Sequence, residues 1–214
     1  MKSKIQSLKN GNKKTVIKKL FLTAAVAVSS LTFAQQFGAK AGMNVSTISD
    51  EGFDDTKSKV GYYAGVFMNV PVSESFSIQP EVLYNNLGSK VSSTVSGTTY
   101  SSTLNLDYVA VPVMFQYKAT PQFYLEAGPE FGFLVNAKQK FDNGSSSTVT
   151  ELDKEDFNSF NMGVGLGLGF DISKNVGLNA RYVAGFSDIT KESGPSTDAK
   201  NKNNTFQVGL NFKF

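Results

Sequence analysis

The last ten residues alternate without a break: Phe206, Val208, Leu210, Phe212 and Phe214 are apolar, and Thr205, Gln207, Gly209, Asn211 and Lys213 stand between them. Period-two alternation puts one set on each side of an extended chain, so this tail forms a strand with an oily face and a polar face. Seven further stretches alternate in the same way, at about 36–46, 60–70, 76–87, 104–118, 123–137, 158–171 and 176–187. Past residue 34 no apolar run reaches the roughly 20 residues that a membrane-spanning helix needs. Whatever this chain builds, it builds from strands.

The opening residues differ in kind. Residues 1–19 hold seven lysines and no acid, and an apolar run from Leu20 to Phe33 follows, ending on small Ala34. That order is the basic, apolar and cleavage-site order of a secretory signal peptide, with cleavage expected between Ala34 and Gln35. The apolar run of 14 residues, interrupted by Thr23, Ser29 and Ser30, is short for a membrane span. Residues 1–34 are therefore expected as a signal peptide and 35–214 as one domain.

Without the leader, 14 basic residues face 18 acids, so the formal charge changes from +3 to −4. The basic character of the whole chain belongs to its leader, and nucleic acid is not an expected partner. The chain has no cysteine and no histidine. Disulfides, thiolate or imidazole metal sites and serine–histidine catalysis are excluded by composition. No catalytic cluster, metal site or cofactor motif stands out among the remaining residues, and a non-enzymatic protein is expected.

Exported strands with an oily face admit two architectures. A soluble barrel would turn Val111, Leu166 and Leu210 inward; a membrane barrel would turn them to lipid and seal the polar face inside. Three features favour lipid outside. Glycines 163, 165, 167 and 169 occupy the polar face, where a narrow lumen needs small residues. Aromatics gather at two depths, Phe37, Phe76, Tyr117, Phe123, Phe170, Phe212 and Phe214 near the short turns and Tyr62, Tyr84, Phe133, Phe160, Tyr182 and Phe206 near the other ends, as membrane-interface girdles do. Connections alternate between short (71–75, 119–122, 171–175) and long (47–59, 88–103, 138–157, 188–204), which matches periplasmic turns and external loops. The expectation is an all-β, eight-stranded antiparallel transmembrane up-and-down β-barrel in the outer membrane, with both termini periplasmic and the long loops extracellular. Ser96-Gly97-Thr98 and Asp142-Asn143-Gly144 are turn signals that would extend strands into hairpins above the bilayer. Pro80, Pro112 and Pro129 interrupt strands that have no free edge, so a bulge is expected at each.

These segments resemble the outer-membrane β-barrel domain family of Gram-negative bacteria whose members are often labelled PorT-like. The resemblance rests on Gln79-Pro80-Glu81-Val82-Leu83-Tyr84, Tyr108-Val109-Ala110-Val111-Pro112-Val113, Tyr124-Leu125-Glu126-Ala127-Gly128-Pro129, the alternating glycines, and Arg181-Tyr182 with Gly185. Phe186 departs from the leucine common after that glycine. The resemblance implies fold and compartment, and by its name a part in protein secretion and gliding; its motifs build barrels and transfer no functional site.

Six charged residues fall on the polar face, Lys40, Glu81, Glu126, Glu130, Arg181 and Lys213, three of each sign. They are expected to form a structural, charge-balanced network in the lumen, with Arg181 touching at least one of the glutamates, because buried charge is tolerated only when paired. A conductive path or a Glu126–Glu130 acid–base pair is the functional alternative. Acid clusters at Asp50, Glu51, Asp54 and Asp55 and at Glu151, Asp153, Glu155 and Asp156 lack calcium-loop spacing and read as solvated loops. Phe206, Val208, Leu210, Phe212 and Phe214 are the expected C-terminal assembly signal for the barrel-assembly machinery. The other expected partners are outer-membrane lipid, lipopolysaccharide and an envelope or extracellular protein, bound by a monomer. Three roles stay open: a surface barrel displaying loops for adhesion, envelope integrity or partner binding, a component of a secretion or assembly machine, and a small channel or transporter.

Overall fold

The computed structural model describes residues 35–49, 57–95, 98–153, 157–189 and 202–214. The leader expected over 1–34, with Ala34 at its end, lies outside the described residues, and Gln35 is the first of them. Asp50, Glu51, Asp54, Asp55, Glu155 and Asp156 of the acid clusters also lie outside.

Nine strands are present among the described residues: β1 (Gln36–Ser49), β2 (Lys57–Pro71), β3 (Phe76–Val95), β4 (Thr98–Lys118), β5 (Phe123–Asp142), β6 (Ser147–Glu151), β7 (Phe160–Asp171), β8 (Val176–Gly185) and β9 (Lys202–Lys213). Eight of them form a closed antiparallel ring in chain order, β9 returning to pair with β1 and β5 pairing directly with β7. The short β6 pairs with β5 alone and stands outside the ring. It exists because the turn at Asp142–Gly144 folds the third long connection back on itself. Gly144 takes φ +82° there, and the side chains of Asp142 and Asn143 accept backbone N–H bonds from residues 144–146. Likewise β3 and β4 run on past residues 87 and 104 as one long hairpin, paired as far as Val95 and Thr98.

Alternation decides the faces. Leu166 is 61% exposed and Leu210 55%, while Tyr63, Glu81, Gln116 and Arg181 are buried inside the ring. A soluble barrel with those leucines at a dry centre is thereby ruled out, and a continuous apolar band this large needs hydrocarbon around it. At the short-turn end Phe76 packs at a tilt against Tyr117 with centroids 5.0 Å apart, and Phe212 meets Phe214 at 5.7 Å. At the other depth Tyr62 lies 6.1 Å from Tyr84 and Phe133 5.5 Å from Phe160.

The three short turns share one construction. In each, a hydroxyl caps the first amide of the next strand: Ser73 accepts from Phe76 N, Thr120 from Phe123 N and Ser173 from Val176 N.

The prolines behave differently from expectation. Each opens the ladder to one neighbour for two residue pairs, and the pairing then resumes in the same register. Pro80 lies in the gap between Phe67↔Glu81 and Val70↔Ile78, Pro112 in that between Pro80↔Val113 and Leu83↔Ala110, and Pro129 in that between Pro112↔Glu130 and Phe115↔Ala127. A strand held on both sides does not slip for one missing donor. The register shifts occur elsewhere, between Ser58 and Tyr63 of β2 and opposite Asp107 and Tyr108 of β4. At the second, Val135 is the extra residue, and beyond it Ala137 turns inward to join Leu87, Leu106, Tyr108 and Ile189 in an apolar cluster across the long-loop end.

Candidate functional site

The lumen collects the chemistry. Arg181 projects inward from β8 between Gly167 of β7 and Gln207 of β9. The alternating glycines make its slot: a Cβ on Gly167 would sit 2.9 Å from Glu126 Oε1, and one on Gly165 3.3 Å from Arg181 Cδ. Across that space the Arg181 guanidinium donates through Nη1 and Nη2 to both oxygens of Glu81, at 3.0 and 2.8 Å, and through Nε to Glu126 Oε1 at 2.8 Å. Lys40 Nζ donates to Glu81 Oε1 at 2.9 Å. Gln79 Nε2 donates to the same oxygen at 2.8 Å, and Gln116 Nε2 donates to Glu126 Oε2 at 3.0 Å. Forked guanidinium–carboxylate pairs of this kind are the strongest charge-assisted hydrogen bonds available to a protein interior.

Below the cluster, toward the short turns, amides and phenols continue the network. Tyr63 OH donates to Asn179 Oδ1, Asn179 Nδ2 to Asn211 Oδ1 and Asn211 Nδ2 to Tyr124 OH, at 2.9, 2.8 and 3.0 Å. Asn69 Nδ2 faces Ser77, Gln79 and Gln116 within 3.1 Å. Above the cluster, Lys59 donates to Leu87 O at 3.1 Å and to Asn86, and Asn86 and Asn136 hold Asp107.

Four of the six charged residues expected in the lumen thus meet: Lys40, Glu81, Glu126 and Arg181. The other two do not join them. Lys213 pairs with Asp171 at 2.6 Å at the short-turn rim, because the stagger of β9 sets it below the cluster. Glu130 is buried, yet its Oε2 has no hydrogen-bond partner. The expected network of three charges of each sign is therefore smaller than six: the central group holds two cations and two carboxylates, with Glu130 apart from it. Glu126 and Glu130 are not arranged as an acid–base couple, since both oxygens of Glu126 are taken by Arg181 and Gln116. Tyr63, Tyr124, Asn179 and Asn211 went unnoticed as functional residues; their place on the inward parity was the available signal. Of the acid clusters, Glu151 lies on β6 and faces Lys138 at 3.3 Å.

What this arrangement does chemically is close the barrel. The floor is a hydrogen-bonded amide layer, the middle an ion cluster, and the top an apolar plug in which Ile48, Leu104, Leu134, Leu152 and Phe157 pack around the buried Leu106 and Ile189. Beyond the upper aromatic ring the β3–β4 and β5–β6 hairpins project free of the ring, with Tyr100 and Phe141 each about half exposed.

The family described as outer membrane protein beta-barrel domain matches residues 33–191. The fold is similar to that of Ail, the attachment invasion locus protein of Yersinia pestis, at 14% identity over 85% of this chain and 100% of that one, with a TM-score of 0.50. Neisserial surface protein A is similar at 12% identity over 85% and 99%, with a TM-score of 0.48. OprG from Pseudomonas aeruginosa is similar at 14% identity over 85% and 96%, with a TM-score of 0.39. At such identities the likeness to these structures concerns the fold. No curated protein matches the chain in sequence.

Proposed function

Because this chain belongs to the outer membrane protein beta-barrel domain family, we propose that it is a small non-enzymatic outer-membrane protein whose long hairpins meet partners outside the cell, in adhesion, envelope integrity or partner binding. In this reading both termini and the short turns are periplasmic and the long loops extracellular. Residues 1–34 direct export and are removed between Ala34 and Gln35. Phe206, Val208, Leu210, Phe212 and Phe214 present the assembly signal to the barrel-assembly machinery, after which lipid and lipopolysaccharide cover the outer face. One chain closes the ring, so it works as a monomer.

The observation that carries this reading is a contrast between a filled lumen and projecting hairpins. A path for solutes would have to cross the Arg181 cluster and the apolar plug, whereas β3 runs eleven residues past Tyr84 to Val95, roughly 35 Å along the strand. That hairpin carries Val91 and Tyr100 on one face, and Phe141 of the neighbouring hairpin pairs with Ser102 of β4 beside them. Half-exposed aromatics outside a membrane are suited to contact with a partner.

An epitope inserted between Asn143 and Gly144 tests the display. Antibody should label intact cells; labelling only after permeabilisation would reverse the proposed orientation. The same protein in planar bilayers should give no discrete conductance steps, and regular single-channel steps would replace this reading with that of a channel.

A further inference from the structure

Between the Arg181 cluster and the apolar plug lies a narrow chamber of about 20 Å³, large enough for one water-sized occupant. Its walls include Tyr108, Glu130, Asn161 and Asn203. Each of these contributes a buried polar atom with no hydrogen-bond partner: Tyr108 OH, Glu130 Oε2, Asn161 Nδ2 and Asn203 Oδ1. Unpartnered polar atoms are rare inside proteins; Tyr108 and Asn161 are near neighbours here, and together with Glu130 Oε2 and Asn203 Oδ1 around one small space they point to an occupant. Charge points the same way. Of the charged residues in these networks, Lys40, Lys59, Arg181 and Lys213 stand against Glu81, Glu126, Glu130 and Asp171, and Asp107, on the outward parity of β4 between the inward Leu106 and Tyr108, stands beside Lys59. Lys213 holds Asp171, Lys59 and Asp107 share Asn86, and Lys40 and Arg181 hold Glu81 and Glu126. The carboxylate left over is Glu130, 9% exposed and lining the chamber. A bare buried carboxylate is too costly to persist.

We propose that this chamber is a binding site for one monovalent cation, held on the free oxygen of Glu130 and supplied either as a proton or as an alkali-metal ion. Tyr108 OH and Asn203 Oδ1 are the neutral oxygens available to it. Asn161 suits a carboxyl–water arrangement as placed, with Nδ2 toward the chamber, and suits an alkali ion with its amide turned to present Oδ1. The apolar plug above, which includes Leu87 and Tyr108, separates the site from the loops.

The test uses the full folded protein in lipid vesicles, following urea unfolding of the wild type, Glu130→Gln and Glu126→Gln between pH 5 and 9, in sodium or choline chloride. A bound proton makes the folded wild type lose stability as pH rises, by up to about tenfold in its folding equilibrium per pH unit, because it holds one proton more than the unfolded chain. A bound alkali ion makes stability rise with sodium at constant pH, by up to about tenfold per decade of concentration. Either response, absent from Glu130→Gln and kept by the less stable Glu126→Gln, supports the site and names the source. The groups facing Glu130, which are Arg181, Glu81, Lys40, Glu126 and Tyr108, all remain in Glu130→Gln, so their own titration cancels. Equal responses of wild type and Glu130→Gln to both pH and sodium would overturn the proposal. A second readout needs no variant: the folded wild type shows the infrared C=O stretch of a protonated carboxyl if the cation is a proton. A spectrum without it, together with indifference to sodium, is equally fatal.

Discussion

The two halves of the lumen are built from the same residue types and reach opposite ends. In the short-turn half, the polar atoms of Arg181, Glu81, Glu126, Asn69, Tyr63 and Asn179 are locked to one another. In the long-loop half, Glu130, Tyr108, Asn161 and Asn203 surround a space and leave an atom each unpartnered. The lower half is a rivet that fixes the ring; the upper half is a small receptacle beneath an apolar plug. Satisfied networks rigidify, whereas unsatisfied ones mark sites with a separate use.

The contrast breaks most visibly at Arg181. Arg181→Ala leaves Glu81 and Glu126 buried with Lys40 as their one remaining cationic contact, and removing one partner from a buried ion cluster costs about 3–5 kcal/mol. Urea unfolding in lipid vesicles should show that loss, together with a folded band that converts to the unfolded one at much lower temperature on a denaturing gel. A loss under about 1 kcal/mol, the range of exposed pairs, would mean that water reaches the cluster and that the lower half is no rivet.

Glycines sharpen the same comparison at a smaller scale. A Cβ on Gly169 would run into the Tyr124 ring, which Asn211 holds in place; a Cβ on Gly132, on the wall of the upper chamber, would meet nothing nearer than Tyr108 Cδ1 at 3.4 Å. Gly169→Ala should therefore cost about 1–3 kcal/mol by overpacking. Gly132→Ala should cost nothing, or gain up to about 1 kcal/mol from reduced unfolded-state entropy. Parallel urea titrations of the two variants check the pair, and similar losses would show the upper half to be as tightly packed as the lower.

Much of this division was open to a reader of the sequence, and part was not, for a physical reason. Alternation states the face of every residue, and Gln79, Glu81, Gln116, Glu126, Asn179 and Arg181 all lie on the face their parity assigns. Height is another matter. Arg181 and Glu81 are 100 residues apart and meet only because of strand stagger, which no single strand encodes. Sign alone therefore grouped Lys213 and Glu130 with the cluster, although stagger puts one at the rim and the other in the chamber. The prolines misled similarly: a lone strand would bulge at Pro112, but neighbours on both sides hold its register. Conversely, nothing in the run Leu134-Val135-Asn136 announces the bulge that turns Ala137 inward.

The smallest expected effect discriminates most finely, because it compares one atom with one atom. Tyr63 OH donates to Asn179 Oδ1 at 2.9 Å, whereas Tyr108 OH, equally buried, has no partner. Tyr63→Phe removes a bond and leaves the Asn179 oxygen bare, a cost of about 1–2 kcal/mol. Tyr108→Phe removes a hydroxyl that has no protein acceptor to lose, so its cost should be the smaller of the two, and any part above about 0.5 kcal/mol, the range of substitutions that break no specific feature, reads the contact with the chamber's occupant alone. The measurement is a pair of urea midpoints at unchanged slope. Should Tyr108→Phe cost as much as Tyr63→Phe, the hydroxyl is bonded to something the chamber holds, and the upper half is satisfied by way of its occupant.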